Sequence, residues 1–129
     1  MTLRLALLPA LLAILASPVR ADDFPKQLMP ELLQVEHEVC KTSTAYGKHF
    51  IVHADLDGDR KPDLILDYRD AMCGWNQTFF CSGDGCLLRI YTTRGGWHRV
   101  FDGHARQWQL SQDRGQAIVL IAGRPLTLR

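Results

Sequence analysis

Four aspartates fall at positions 1, 3, 5 and 9 of one nine-residue stretch, Asp55-Leu56-Asp57-Gly58-Asp59-Arg60-Lys61-Pro62-Asp63. Carboxylates this close repel one another, and Arg60 and Lys61 relieve only part of the repulsion, so a tight loop here calls for a cation. Calcium is a hard ion that takes six to eight oxygens at about 2.3–2.6 Å, and alternate residues of a tight loop turn their oxygens to one point. The expected ligands are the carboxylates of Asp55, Asp57, Asp59 and Asp63 with the backbone carbonyl of Lys61. Gly58 lets the chain bend, and Pro62 holds it extended as it enters Asp63. An EF-hand is excluded, because its sixth and twelfth positions are Arg60 and Leu66 instead of Gly and Glu. The flanks 49–53 and 64–68 read as strands, so the loop joins two strands rather than two helices. The competing reading is a plain polar turn, a common home for Asp and Gly.

Residues 1–21 have the form of a secretory signal peptide: basic Arg4, an apolar run over 5–16, and Val19-Arg20-Ala21 before Asp22. The apolar run contains Pro9 and is too short to span a bilayer, so no stable membrane insertion is expected after cleavage. Residues 22–129 then suit a single domain. The whole chain carries 15 basic and 14 acidic residues, two of the basic ones in the leader, so near-neutrality gives no pull toward nucleic acid. Cys40, Cys73, Cys81 and Cys86 all follow the leader, and an oxidising compartment, periplasmic or extracellular, makes two disulfides the default. Three connectivities are open. The glycine-containing turn Cys81-Ser-Gly-Asp-Gly-Cys86 favours Cys81 with Cys86, which leaves Cys40 with Cys73.

Leu28, Leu32, Val35 and Val39 recur at helical spacing, and the spacing predicts a helix over 30–40 with Glu36, His37 and Glu38 on its solvated face. From Phe50 the period changes, and 50–52, 64–66, 87–92, 97–101, 108–110 and 117–121 read as strands. Arg94-Gly95-Gly96 marks one hairpin and 112–116 a second. The last of these strands is nearly all apolar and should be central or covered. The expected fold class is α+β, an N-terminal helix packed on a mostly antiparallel sheet in one small disulfide-bonded domain.

The run from Asp55 to Leu66 resembles the calcium loop of the FG-GAP or VCBS repeat class, in which a D-x-D-G-D-G-x-x-D pattern leads into an apolar strand. The departure is Arg60 where that class has Gly, and a positive φ there carries strain on the order of 1 kcal/mol. With the leader and the 73–86 segment, the chain is also similar to small exported proteins of Gram-negative bacteria. The resemblance covers 55–86 and implies a calcium-stabilised extracytoplasmic module, with no single activity attached. A propeller needs at least four blades of roughly 40–45 residues, more than 22–129 holds.

His49 and His53 with Cys73, Cys81 and Cys86 would make a zinc site only if the thiolates stayed reduced, against the expected compartment. His98 and His104 stand in no motif relation to a nucleophile, and no Gly-x-Ser-x-Gly elbow occurs. Trp75, Phe79 and Phe80 offer either core cover or an aromatic surface, and Asn76-Gln77-Thr78 fits the glycosylation pattern. The expectation is therefore an exported binding or interaction module without catalytic activity, whose partner is an unknown protein or glycan. The rivals are a small envelope hydrolase built on Asp and His, and an inhibitor of an exported enzyme presenting the 73–86 loop.

Overall fold

The computed structural model describes residues 24–41, 43–74 and 79–128. The expected leader 1–21, Trp75 and the Asn76-Gln77-Thr78 triplet lie outside the described residues. The predicted helix forms as α1 (Met29–Val39) after a 3-10 turn at Lys26–Leu28. Pro30 sits in the first turn, where a missing N–H breaks no intrahelical bond, and Glu31 faces the positive end of the dipole. Leu32 and Val35 turn inward. The solvated face holds for His37 and Glu38 but not for Glu36. Glu36 instead accepts hydrogen bonds from the Thr44 amide and the Tyr46 hydroxyl, both at 3.0 Å, and so ties the helix to the next strand.

The strands are β1 (Thr44–Tyr46), β2 (Ile51–Ala54), β3 (Asp63–Asp67), β4 (Ala71–Cys73), β5 (Cys81–Ser82), β6 (Gly85–Thr92), β7 (His98–Ala105), β8 (Trp108–Asp113), β9 (Gln116–Ile121) and β10 (Arg124–Pro125). All six predicted strands are present with shifted ends, and every pairing is antiparallel. They make three sheets rather than one: β1 with β4, a five-stranded sheet β2-β3-β6-β5 with β7 also on β6, and β10-β9-β8. The apolar strand β9 is central in its sheet, as its composition requires. Both predicted hairpins form, and the β8–β9 turn puts Arg114 and Gly115 at φ 52° and 79°, the left-handed pair that two-residue hairpins favour.

β3 explains the layering. It is buried on both faces, and alternation sends Leu64 and Leu66 one way and Ile65 the other. Leu64 and Leu66 join Leu28, Leu32, Val35 and Phe50 under the helix. Ile65 joins Leu56, Leu88, Ile90 and Val119, which brings the three-stranded sheet against the opposite face. Burying one such side chain is worth about 1.5–3 kcal/mol, so the two clusters hold the helix and the small sheet to either side of the large one. The coarse α+β class holds, with one short helix on a molecule that is mostly strand.

Both expected disulfides form: Cys40 at the end of α1 with Cys73 in β4, and Cys81 with Cys86 across the β5–β6 turn. Trp108 on β8 donates its indole N–H to Asp67 at 2.9 Å, a further link between the two larger sheets. Among the described residues, no helix is long and apolar enough to cross a membrane.

Candidate metal centre

The nine-residue loop joins β2 to β3, with Ala54 and Asp63 paired across its base. Asp63 opens β3 and is completely buried. Its Oδ2 accepts the Leu56 amide at 2.7 Å and the Asp57 amide at 3.3 Å. Its Oδ1 accepts the Thr93 amide at 2.9 Å and lies 3.1 Å from the Thr93 hydroxyl. Three amides thus point at this carboxylate, and the Thr93 hydroxyl is shared between it and Asp59. Asp63 therefore frames the loop and fastens it to the β6–β7 turn.

The preceding aspartates fold the loop onto itself. Asp55 accepts the Gly58 amide at 2.8 Å on one oxygen and the Arg60 amide at 2.9 Å on the other. Asp57 Oδ1 accepts the Asp59 amide at 3.0 Å, and Asp59 Oδ1 accepts the Lys61 amide at 2.9 Å. Two residues adopt positive φ to allow this, Gly58 at 78° and Arg60 at 67°. The positive φ expected at position 60 is thus present on a non-glycine residue.

Ligand oxygens of Asp55, Asp57 and Asp63 lie within 4.8 Å of one another, an acidic triad that can hold a metal ion. At an effective dielectric of about 20, each such pair of charges repels by roughly 3 kcal/mol. Asp57 carries the sharpest tension. Its side chain is 10% exposed, and its Oδ2 is buried with no hydrogen-bond partner. The nearest cation, Arg94, stands 4.0 Å away on a side chain that is itself 66% exposed, too solvated to cancel three carboxylates. Burial, followed by the side-chain contact with Asp59 and the charges of Asp63 and Asp59, pushes the Asp57 carboxyl above its ordinary pKa against the pull of the Asp59 amide. The Asp59 carboxyl moves the other way, held down chiefly by the Lys61 amide.

Of the five expected ligand positions, the fold brings Asp55, Asp57 and Asp63 together. Asp59 is outside this triad, its second oxygen 3.2 Å from the Thr93 hydroxyl. Lys61 is exposed and gives its amide to Asp59. Three residues that sequence reasoning missed complete the setting. Thr93 anchors Asp63, Arg94 donates to the Asp57 carbonyl at 2.8 Å, and Gln116 donates to the Asp55 carbonyl at 2.6 Å. They lie 30, 37 and 61 residues along the chain from their partners, and no local pattern marks them.

The other candidates resolve into structure. With all four cysteines paired, a zinc site on His49 and His53 has no thiolates to use. Asp67 ends β3, accepting the Arg69 amide as well as the Trp108 indole. Asp70 accepts the His49 amide at 2.7 Å, and a Cβ on Gly47 would strike its carboxylate. Phe80 is buried, whereas Phe79 is 61% exposed. Comparison of the chain with protein-family models, with curated proteins and with solved structures finds no match.

Proposed function

We propose that this chain is an exported, non-catalytic binding module whose 55–63 loop holds a structural calcium ion. The observation that carries the reading is the buried, unpartnered Oδ2 of Asp57 beside Asp55 and Asp63. An orphaned carboxylate oxygen costs free energy, and a cation at that point would remove the cost while neutralising its neighbours. Oxygen-only ligands suit calcium better than zinc, and their irregular placement suits it better than magnesium. Two disulfides favour an oxidising compartment, periplasmic or extracellular.

In this reading Asp55 and Asp57 supply the free lone pairs, Asp63 supplies charge and frame, and Asp59 and the Lys61 carbonyl are auxiliary. Calorimetric titration of the oxidised chain with calcium tests it. Binding near one ion per chain, absent in Asp57→Asn and only weakened in Asp59→Asn, is the expected result. No binding by the parent chain overturns the reading. Exposed Phe79, between the two disulfides, favours a second reading in which the 73–86 segment is offered to a partner enzyme. Loss of partner capture on Phe79→Ser, with calcium binding intact, would support it.

A further inference from the structure

Beside the loop lies a pocket of about 470 Å3, within the range of small-molecule sites. We infer that this pocket binds a small carboxylate bearing a short apolar tail, and that it does so in concert with the ion in the loop; the coupling rests on the calcium reading above, whereas the pocket does not. Leu56, Val100 and Leu128 form an uncharged wall suited to hydrocarbon. Arg94 and His98 stand on the same lining, on either side of the Gly95-Gly96 turn. His98 folds back over that turn, its Nε2 3.9 Å from where a Cβ on Gly95 would lie. Arg94 spends one N–H on the Asp57 carbonyl, which leaves the rest of its fork for an anion. A guanidinium and an imidazole on one lining supply N–H donors for the oxygens of an anion, and the uncharged wall beside them favours a carboxylate that carries a hydrocarbon tail.

Asp57 supplies the link. It lines the pocket and belongs to the acidic triad. Without an ion, its charge opposes an incoming anion and draws on Arg94, 4.0 Å from Oδ2. With a divalent ion on the triad, that opposition is neutralised and Arg94 is free to meet the ligand. Each ligand then strengthens the other by the same factor, as linkage requires.

The test is calorimetry of the oxidised chain with octanoate, in millimolar calcium and in chelator, with octan-1-ol as the tail without the carboxylate. Octanoate should bind in calcium and weaken about tenfold in chelator, with the alcohol weaker by a similar factor. N-acetyl-leucine, run in parallel, distinguishes a peptide end from a free fatty acid as the source of the carboxylate by which of the two binds more tightly. Val100→Asp and Leu128→Asn should each lose octanoate, and an unchanged calcium titration certifies that each variant is folded. If calcium binds normally and octanoate binds no better than octanol, or not at all, the proposal is overturned. If calcium does not bind, yet octanoate beats octanol and Leu128→Asn removes it with the circular dichroism spectrum of the parent retained, the pocket stands while the loop reading and the coupling fall.

Discussion

Asp57 and Asp63 are two aspartates of one loop with opposite duties, and paired substitutions separate them. Asp63→Asn puts an amide where three backbone N–H donors converge, so it should cost about 3 kcal/mol with or without calcium. Asp57→Asn keeps an acceptor for the Asp59 amide and removes the orphaned charge. A carboxyl whose pKa is raised in the folded state binds more protons there than in the unfolded chain. Stability therefore falls as pH rises from the ordinary value of 3.8 through the raised one. In chelator at neutral pH, Asp57→Asn should thus unfold at higher denaturant than the parent, with the gap closing as pH falls toward 3.8. Arg60→Gly belongs to the same scale. Relief of the φ of 67° outweighs the added freedom of the unfolded chain, and a net gain of about 0.5 kcal/mol in urea unfolding is expected. The strain at Arg60 was legible in the sequence because the resemblance put glycine there. The division of labour between Asp57 and Asp63 was not, since it depends on Thr93 arriving from another hairpin.

At the scale of elements, the two disulfides close loops of very different length, with sequence separations of 33 and 5 residues. On the chain-entropy model the long bridge contributes about 4 kcal/mol and the short one about 2 kcal/mol. Cys40→Ser should therefore lower the urea midpoint more than Cys81→Ser does, and the reverse order would show that the short bridge does more than restrict the unfolded chain. Elements with a full hydrophobic period were readable in advance: α1 from its stripe, β3 and β9 from their apolar runs, and both hairpins from glycine. Four strands were not foreseen, β1, β4, β5 and β10, each two or three residues long. So short a strand shows no alternation, and it exists because something else brings it to a partner. Glu36 and the Cys40–Cys73 bridge flank the β1–β4 pair, while Cys81–Cys86 closes β5 on β6. The split into separate sheets was equally hidden, because periodicity marks which side of a strand is apolar and not which layer covers it.

Across the whole molecule, the tyrosines report on integrity: Tyr46 and Tyr68 stand in a row with Phe50 and Phe80, with centroid spacings of 4.3, 5.0 and 4.8 Å, and Tyr91 is buried on β6. Burial raises the pKa of Tyr46, Tyr68 and Tyr91, and Tyr91 is pushed up to about 12 from 10.0 with help from Glu31. The folded chain keeps protons that the unfolded chain releases above pH 10, so stability falls as pH climbs from there. Tyrosinate absorbance from the buried Tyr68 and Tyr91 should therefore appear together with unfolding and not before it. A calcium ion held as proposed would act on the same global equilibrium, because the loop ties the two larger sheets together. Asp63 starts β3, Thr93 and Arg94 come from the β6–β7 turn, and Gln116 opens β9 in the other sheet. Leu56, inside the loop, sits in the cluster that joins the two sheets. The carboxylates gather only when these parts are assembled, so the ion should bind the native chain and disregard the unfolded one. At one hundred times the dissociation constant, linkage gives about 2.7 kcal/mol. For a domain near this size each kcal/mol is worth roughly 4–8 °C, so chelation should lower the melting midpoint by roughly 10–20 °C in one cooperative transition. Magnesium should restore little of it, because a tighter octahedron does not suit this spacing. A midpoint indifferent to calcium would leave Asp55, Asp57 and Asp63 as a polar turn that tolerates its own repulsion.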